Sequence, residues 1–149
     1  MGSRRRAREF ALQAMYNADI GEVTAKASLA SLWSGLLEEE GIDDNRPPES
    51  PEVEFAQRLV LGVEARRDEI DGLIEACSTN WRIPRMPVVD RNILRMAAFE
   101  LLACDDIPPT VSINEAVELA KRFGTAESRA FVNGIVDRLA RNAGRLPER

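Results

Sequence analysis

The chain has 149 residues, 44% of them hydrophobic and only 5% aromatic, and carries a formal net charge of −5. That composition suffices for one domain, or for two small subdomains, with a core built mainly of Ala, Leu, Ile and Val. It argues against a membrane span and a secretory leader, because no apolar run reaches 18 residues and the N-terminal arginines precede no apolar core.

Helical periodicity dominates, and no convincing alternating strand is present, so the expected class is all-α with about seven helices. The first helix is expected from about Arg5 to Asp19, with Ala7, Phe10, Ala11, Ala14 and Ala18 on one buried stripe and Gly21 as its stop. Thr24 is a plausible N-cap for a second helix ending near Gly41. The acidic, proline-bearing stretch from Ile42 to Pro51 reads as an exposed loop. Ser50-Pro51 then reads as N-cap plus first helical residue, with Phe55, Leu59 and Val63 on one face. After a break near Arg67-Asp68 the pattern resumes at Ile70, Leu73, Ile74 and Cys77.

Pro84 and Pro87 mark a connection. A fifth helix carries Val89, Ile93, Met96, Ala97 and Leu101, and Pro108-Pro109 is expected to end it. Ser112 and Glu115 have the spacing of a capping box opening a sixth helix, whose buried stripe is Ile113, Ala116, Val117 and Ala120. Gly124 serves as its stop. A last helix starts near Thr125 and buries some of Phe131, Val132, Ile135, Val136 and Leu139. Short connections of this kind suit packed antiparallel helices.

Little points to catalysis. Histidine is absent, which removes the commonest general base and metal ligand. Neither of the glycine-rich nucleotide loops occurs. Cys77 and Cys104 have no metal or redox spacing and read as ordinary thiols of a reduced cytosol. The expectation is a cytoplasmic protein that is not an enzyme, with no cofactor and no metal.

The charge distribution points elsewhere. Arg4, Arg5, Arg6 and Arg8 face only Glu9 in the first nine residues. Near the other end Lys121, Arg122, Arg129, Arg138, Arg141, Arg145 and Arg149 outnumber Glu127, Asp137 and Glu148. The acidic residues concentrate in the middle, around Glu38-Glu39-Glu40, Asp43 and Asp44. Local field rather than total charge steers a polyanion. On a helix, Arg5 and Arg8, and Arg4 and Arg8, share a side, and Leu12 and Tyr16 continue it at steps of four. Tyr16 lies about 12 Å beyond Arg8 at ~1.5 Å per residue. Guanidinium groups grip phosphates and an aromatic ring stacks on a base, a pairing suited to single-stranded RNA. The same residues also suit a solubilising tail and a half-buried core tyrosine, and pattern alone leaves both readings open. Arginines in a first turn oppose the helix dipole, a mild cost that points to a reason for them other than helix stability.

Three stretches carry a family resemblance. RRRAREFALQAMY (Arg4–Tyr16), DRNILRMAAFELL (Asp90–Leu102) and DIPPTVSINEAVELAKRFGTAESRAFVNGIVD (Asp106–Asp137) resemble NusB proteins in order and spacing. Together with LVLGV and DGLI they span nearly the whole chain. The resemblance implies a NusB-like fold of two packed helical subdomains, about 1–83 and about 84–149, within one RNA-binding domain over 1–149. It implies a transcription antitermination factor that binds boxA, a short single-stranded element of nascent ribosomal transcripts. NusE, a small-subunit ribosomal protein, is the implied partner, with other Nus factors and RNA polymerase reached indirectly.

The implied RNA contacts fall on Arg4, Arg5, Arg6, Arg8 and Tyr16, with Arg6 and Arg8 favoured for phosphates and Tyr16 for a base or ribose. A second region falls on Glu127, Ser128, Arg129 and Phe131, although a helix-stripe phenylalanine more often belongs to a core. The family often has a basic residue directly before this phenylalanine, where this chain has Ala130; Arg129 is the nearest charge. Asp90, Arg91 and Arg95 are expected near NusE or the RNA, or else as a dipole-complementing acid and two solvated arginines. Two other readings remain. One is a self-associating or protein-binding bundle, since some family members are homodimers. The other is a detached domain of a ribosomal RNA cytosine methyltransferase, whose N-terminal part resembles NusB.

Overall fold

Apolar spacing of three and four, interrupted by Gly and Pro, gives seven α-helices among the described residues, which in this computed structural model are 3–38 and 47–147. They are α1 (Arg4–Gly21), α2 (Ala25–Glu38), α3 (Ser50–Ala65), α4 (Arg67–Cys77), α5 (Val88–Ala103), α6 (Pro109–Phe123) and α7 (Ser128–Asn142), with a 3-10 turn at Ile83–Arg85. No strand occurs among the described residues. None of the described helices is long and apolar enough to cross a membrane. The expected end of α2 at Gly41, and the acidic residues 39–46 of the expected loop, lie outside the described residues.

The chain forms two compact units, Met1–Glu64 and Ala65–Arg149. The expected division near residue 83 differs, because α4 packs against α5 and α7 and so belongs with the C-terminal helices.

In the first unit α1 buries Ala7, Phe10, Ala11, Ala14 and Met15 and packs on α2. Phe10 meets Trp33 edge to face, with centroids 5.6 Å apart. Ser28 donates from Oγ to the Ala14 carbonyl at 2.6 Å. Glu22, not Gly21, takes the left-handed cap of α1 at φ 53°. Thr24 accepts the Ala27 N–H at 3.1 Å, as an N-cap should. The start of α3 is shifted by one residue: the Val53 N–H bonds the Glu49 carbonyl, and the Glu49 N–H returns to Glu52 Oε1 at 3.0 Å. The return bond is one half of a capping box, set on Glu49 and Glu52 rather than on Ser50.

In the second unit α5 is buried without interruption from Asn92 to Leu101, as befits a helix surrounded by α4, α6 and α7. One expectation fails here. Pro108-Pro109 does not end α5, which stops at Ala103; the pair starts α6, with Pro108 as N-cap and Pro109 as first residue. Proline is suited to that position because the first helical N–H has no partner to lose. Ser112 is therefore inside the helix and forms no capping box. It is buried, and its Oγ donates to Glu100 Oε1 at 2.8 Å, joining α6 to α5.

Candidate nucleic-acid interface

The start of α1 is fixed by one buried carboxylate. Ser3 is the N-cap, and its Oγ accepts the Arg6 N–H at 3.2 Å. The Ser3 N–H donates to Glu52 Oε2 at 3.0 Å, while Arg6 Nη1 donates to Glu52 Oε1 at 2.9 Å. Glu52 is 1% exposed. It gathers the first turns of α1 and α3 and supplies the negative charge that the first turn of α1 lacks.

The arginines lie over aromatic rings. Arg4 and Arg8 stand 4.5 and 5.2 Å from the Phe55 centroid, and Arg6 4.9 Å from that of Phe10. Their exposure differs from the expectation. Arg8 is 3% exposed and belongs to the core side of α1 together with Leu12. A long aliphatic stem allows an arginine to share a buried face, which its charge conceals in the sequence. Arg6 is largely committed to Glu52. The two residues favoured for phosphate contact are thus the two least available. Arg4, Arg5 and Tyr16 are exposed. An open cleft of about 390 Å3 borders Arg4, lined also by Ser3, Pro51, Phe55 and Arg58.

In the second unit the turn before α7 is built around Ser128, which is 1% exposed. Its Oγ accepts the Thr125 N–H at 2.9 Å and donates to Asp90 Oδ1 at 2.7 Å. A Cβ on Gly124 would come within 2.4 Å of that Oγ and 2.8 Å of the Ala120 carbonyl oxygen. Glycine is required there by space and not by backbone angle, since its φ is −92°. Around this staple Glu127 and Arg129 are exposed and Phe131 is half-buried. Ser128 is therefore a support for the surface and not part of it.

Asp90 and Arg95 are likewise internal. Burial pushes the Asp90 carboxyl above the ordinary carboxylate range, opposed by the Ser128 hydrogen bond. Arg95, 3% exposed, forms a two-pronged pair with Asp71 at 2.8 and 3.1 Å and donates to Asn92 Oδ1 at 3.2 Å. The alternative of solvated arginines therefore does not hold for Arg95. Arg91 is half-buried, with its Nη1 3.5 Å from the Ile83 carbonyl. Glu52 went unseen in the sequence, although an acid three residues after Glu49 at a helix start was its signal. Among the described residues no group of His, Cys, Asp or Glu is placed to hold a metal ion.

The NusB family model matches residues 5–141. The chain belongs to the NusB family. Among its relatives is a transcription antitermination protein NusB of Myxococcus xanthus, 52% identical over 140 residues, covering 94% of this chain and 96% of that one. The fold is shared with a solved NusB of T. maritima, 34% identical with a TM-score of 0.81, over 98% of this chain and 100% of that one. A crystal structure of the antitermination factors NusB and NusE in complex with dsRNA has the same fold, with 23% identity, a TM-score of 0.79 and coverage of 93% and 96%. The family fold accounts for the all-helical class and for the order of the three motifs.

Proposed function

We propose that this chain is a non-enzymatic, cytoplasmic transcription antitermination factor that binds boxA-like single-stranded RNA of nascent ribosomal transcripts together with NusE. Other Nus factors and RNA polymerase are then reached through that complex. Membership of a family whose relatives at about half identity are antitermination proteins carries the reading. The geometry supports it with two surfaces, each in its own unit. The first presents Arg4, Arg5 and Tyr16 on α1, with half-buried Arg6 and buried Arg8 as the charge behind them. The second presents Glu127, Arg129 and Phe131 at the start of α7, held by Ser128 and Asp90, with Arg91 nearby on α5 for a partner.

The test is a binding titration with boxA-like and scrambled oligonucleotides, each single- and double-stranded, with NusE present and absent. Single-stranded boxA-like RNA should bind best, and more tightly with NusE. Equal affinity for scrambled RNA under every condition would refute the assignment.

A further inference from the structure

Trp81 stands in the turn after α4 with 48% of its surface exposed. The turn is held by one bond within it and one to α4. The Trp81 N–H donates to Ser78 Oγ at 3.3 Å, and the Ile83 N–H donates to Glu75 Oε2 at 2.8 Å. Trp81 thus presents its ring from a fixed backbone. It borders a cleft of about 200 Å3 that is lined on the α7 side by Phe131, Gly134 and Arg138.

The chemistry of this cleft suits one ligand class. Trp81 and Phe131 offer aromatic faces. Asn80, also in the lining, offers an amide that both donates and accepts. Arg138 contributes a guanidinium, one arm of which donates to the Cys77 carbonyl. Arg82, its side chain 81% exposed, lines an adjoining hollow shared with Trp81 and Glu75, and its Nη1 stands 3.6 Å from Glu75 Oε1. A nucleotide uses all of these: its base stacks, the base edge pairs with an amide, and the phosphate meets an arginine. An apolar protein side chain would use only the rings.

Gly134 is an independent sign. It lies inside α7, where glycine weakens a helix. Its absent side chain is not required by packing, since a Cβ would meet nothing closer than Arg138 Nη2 at 4.0 Å. The missing atoms leave the cleft open.

We propose that the Trp81–Phe131 cleft is a stacking subsite for one unpaired base of bound RNA, adjoining the nucleotides held at the start of α7. It rests on the RNA-binding reading above and adds Trp81, Asn80 and Arg138 to the site. Trp33 is the other of the two tryptophans, so a Trp33→Phe protein reports from Trp81 alone. Adding single-stranded boxA-like RNA to that protein, with NusE present, should quench its emission. Trp81→Ala should bind the RNA about tenfold more weakly, with an unchanged salt slope because stacking releases no counterions, and Trp81→Phe should recover most of the affinity. Gly134→Ala should raise the melting temperature and still weaken RNA binding. If the wild-type protein binds the RNA while emission is unmoved and Trp81→Ala binds equally, the subsite is wrong and the RNA reading stands. If the wild-type protein binds no RNA, the functional reading falls first. Loss of NusE binding by Trp81→Ala with RNA affinity intact would make the cleft a protein seat and overturn the proposal.

Discussion

Asp90 shows how much a single buried residue decides. It sits in the first turn of α5, where a carboxylate complements the helix dipole, and it holds the α7 turn through Ser128. Its carboxyl titrates above the ordinary value because burial penalises the charge. A raised folded-state value means that the protonated form favours folding. The contribution is full below the ordinary carboxylate pKa and is lost as pH rises through the folded value. Asp90→Asn keeps an acceptor for Ser128 and removes the charge. Urea unfolding across the acid range should show the wild type losing stability relative to Asp90→Asn as pH rises, and parallel curves would contradict the assignment. Cys77 obeys the same physics: burial raises its thiol pKa, against a hydrogen bond from Asn142 and the nearby positive charge of Arg138, which marks it as a structural thiol.

At the scale of elements, helix termini carry the information. Thr24 caps α2 as its residue type and position suggest, because an N-cap is a local device. The start of α6 departs from its local pattern for the opposite reason. Ser112 and Glu115 have capping-box spacing, yet a proline pair upstream starts the helix earlier and Ser112 turns inward to Glu100. A partner 12 residues away in sequence overrides the local signal. The junction of α6 and α7 is the tightest such point. Gly124→Ala should cost about 2 kcal/mol by forcing Ser128 aside, in the range typical of overpacking. Thermal or urea unfolding reads this directly. Weaker RNA binding should accompany it, since Glu127 and Arg129 flank the displaced serine.

At the level of the whole chain, an acidic protein carries its basic residues toward the two ends of its sequence. The net charge of −5 predicts weak attraction to arbitrary RNA, with specific binding left to local arginines. Replacing Arg4 and Arg5 together by Ala should weaken RNA binding strongly at low salt and little at high salt. The slope of log affinity against log salt should fall by about 0.7 for each phosphate that the arginines no longer neutralise. Replacing Arg6 should instead destabilise the first unit, because the Glu52 carboxylate would be left buried without its guanidinium partner. An unchanged slope for the Arg4 and Arg5 variant would place the RNA elsewhere.

The helical class, the approximate position of most helices and the family were all legible in the sequence. Those depend on apolar spacing, on Gly and Pro as punctuation, and on motifs read within short windows. The buried stripes at Phe55, Leu59 and Val63 and at Ile70 and Ile74 were legible for this reason. Which charged residues face water was settled by packing between helices. Arg4, Arg5, Arg6 and Arg8 look alike in a row, yet packing buries Arg8, ties Arg6 to a carboxylate 46 residues away and leaves Arg4 and Arg5 exposed. Asp90, Ser128 and Arg95 read as surface residues and are internal struts, because their partners lie on other helices. Burial and pairing of charge depend on neighbours distant in sequence, and no local window contains them.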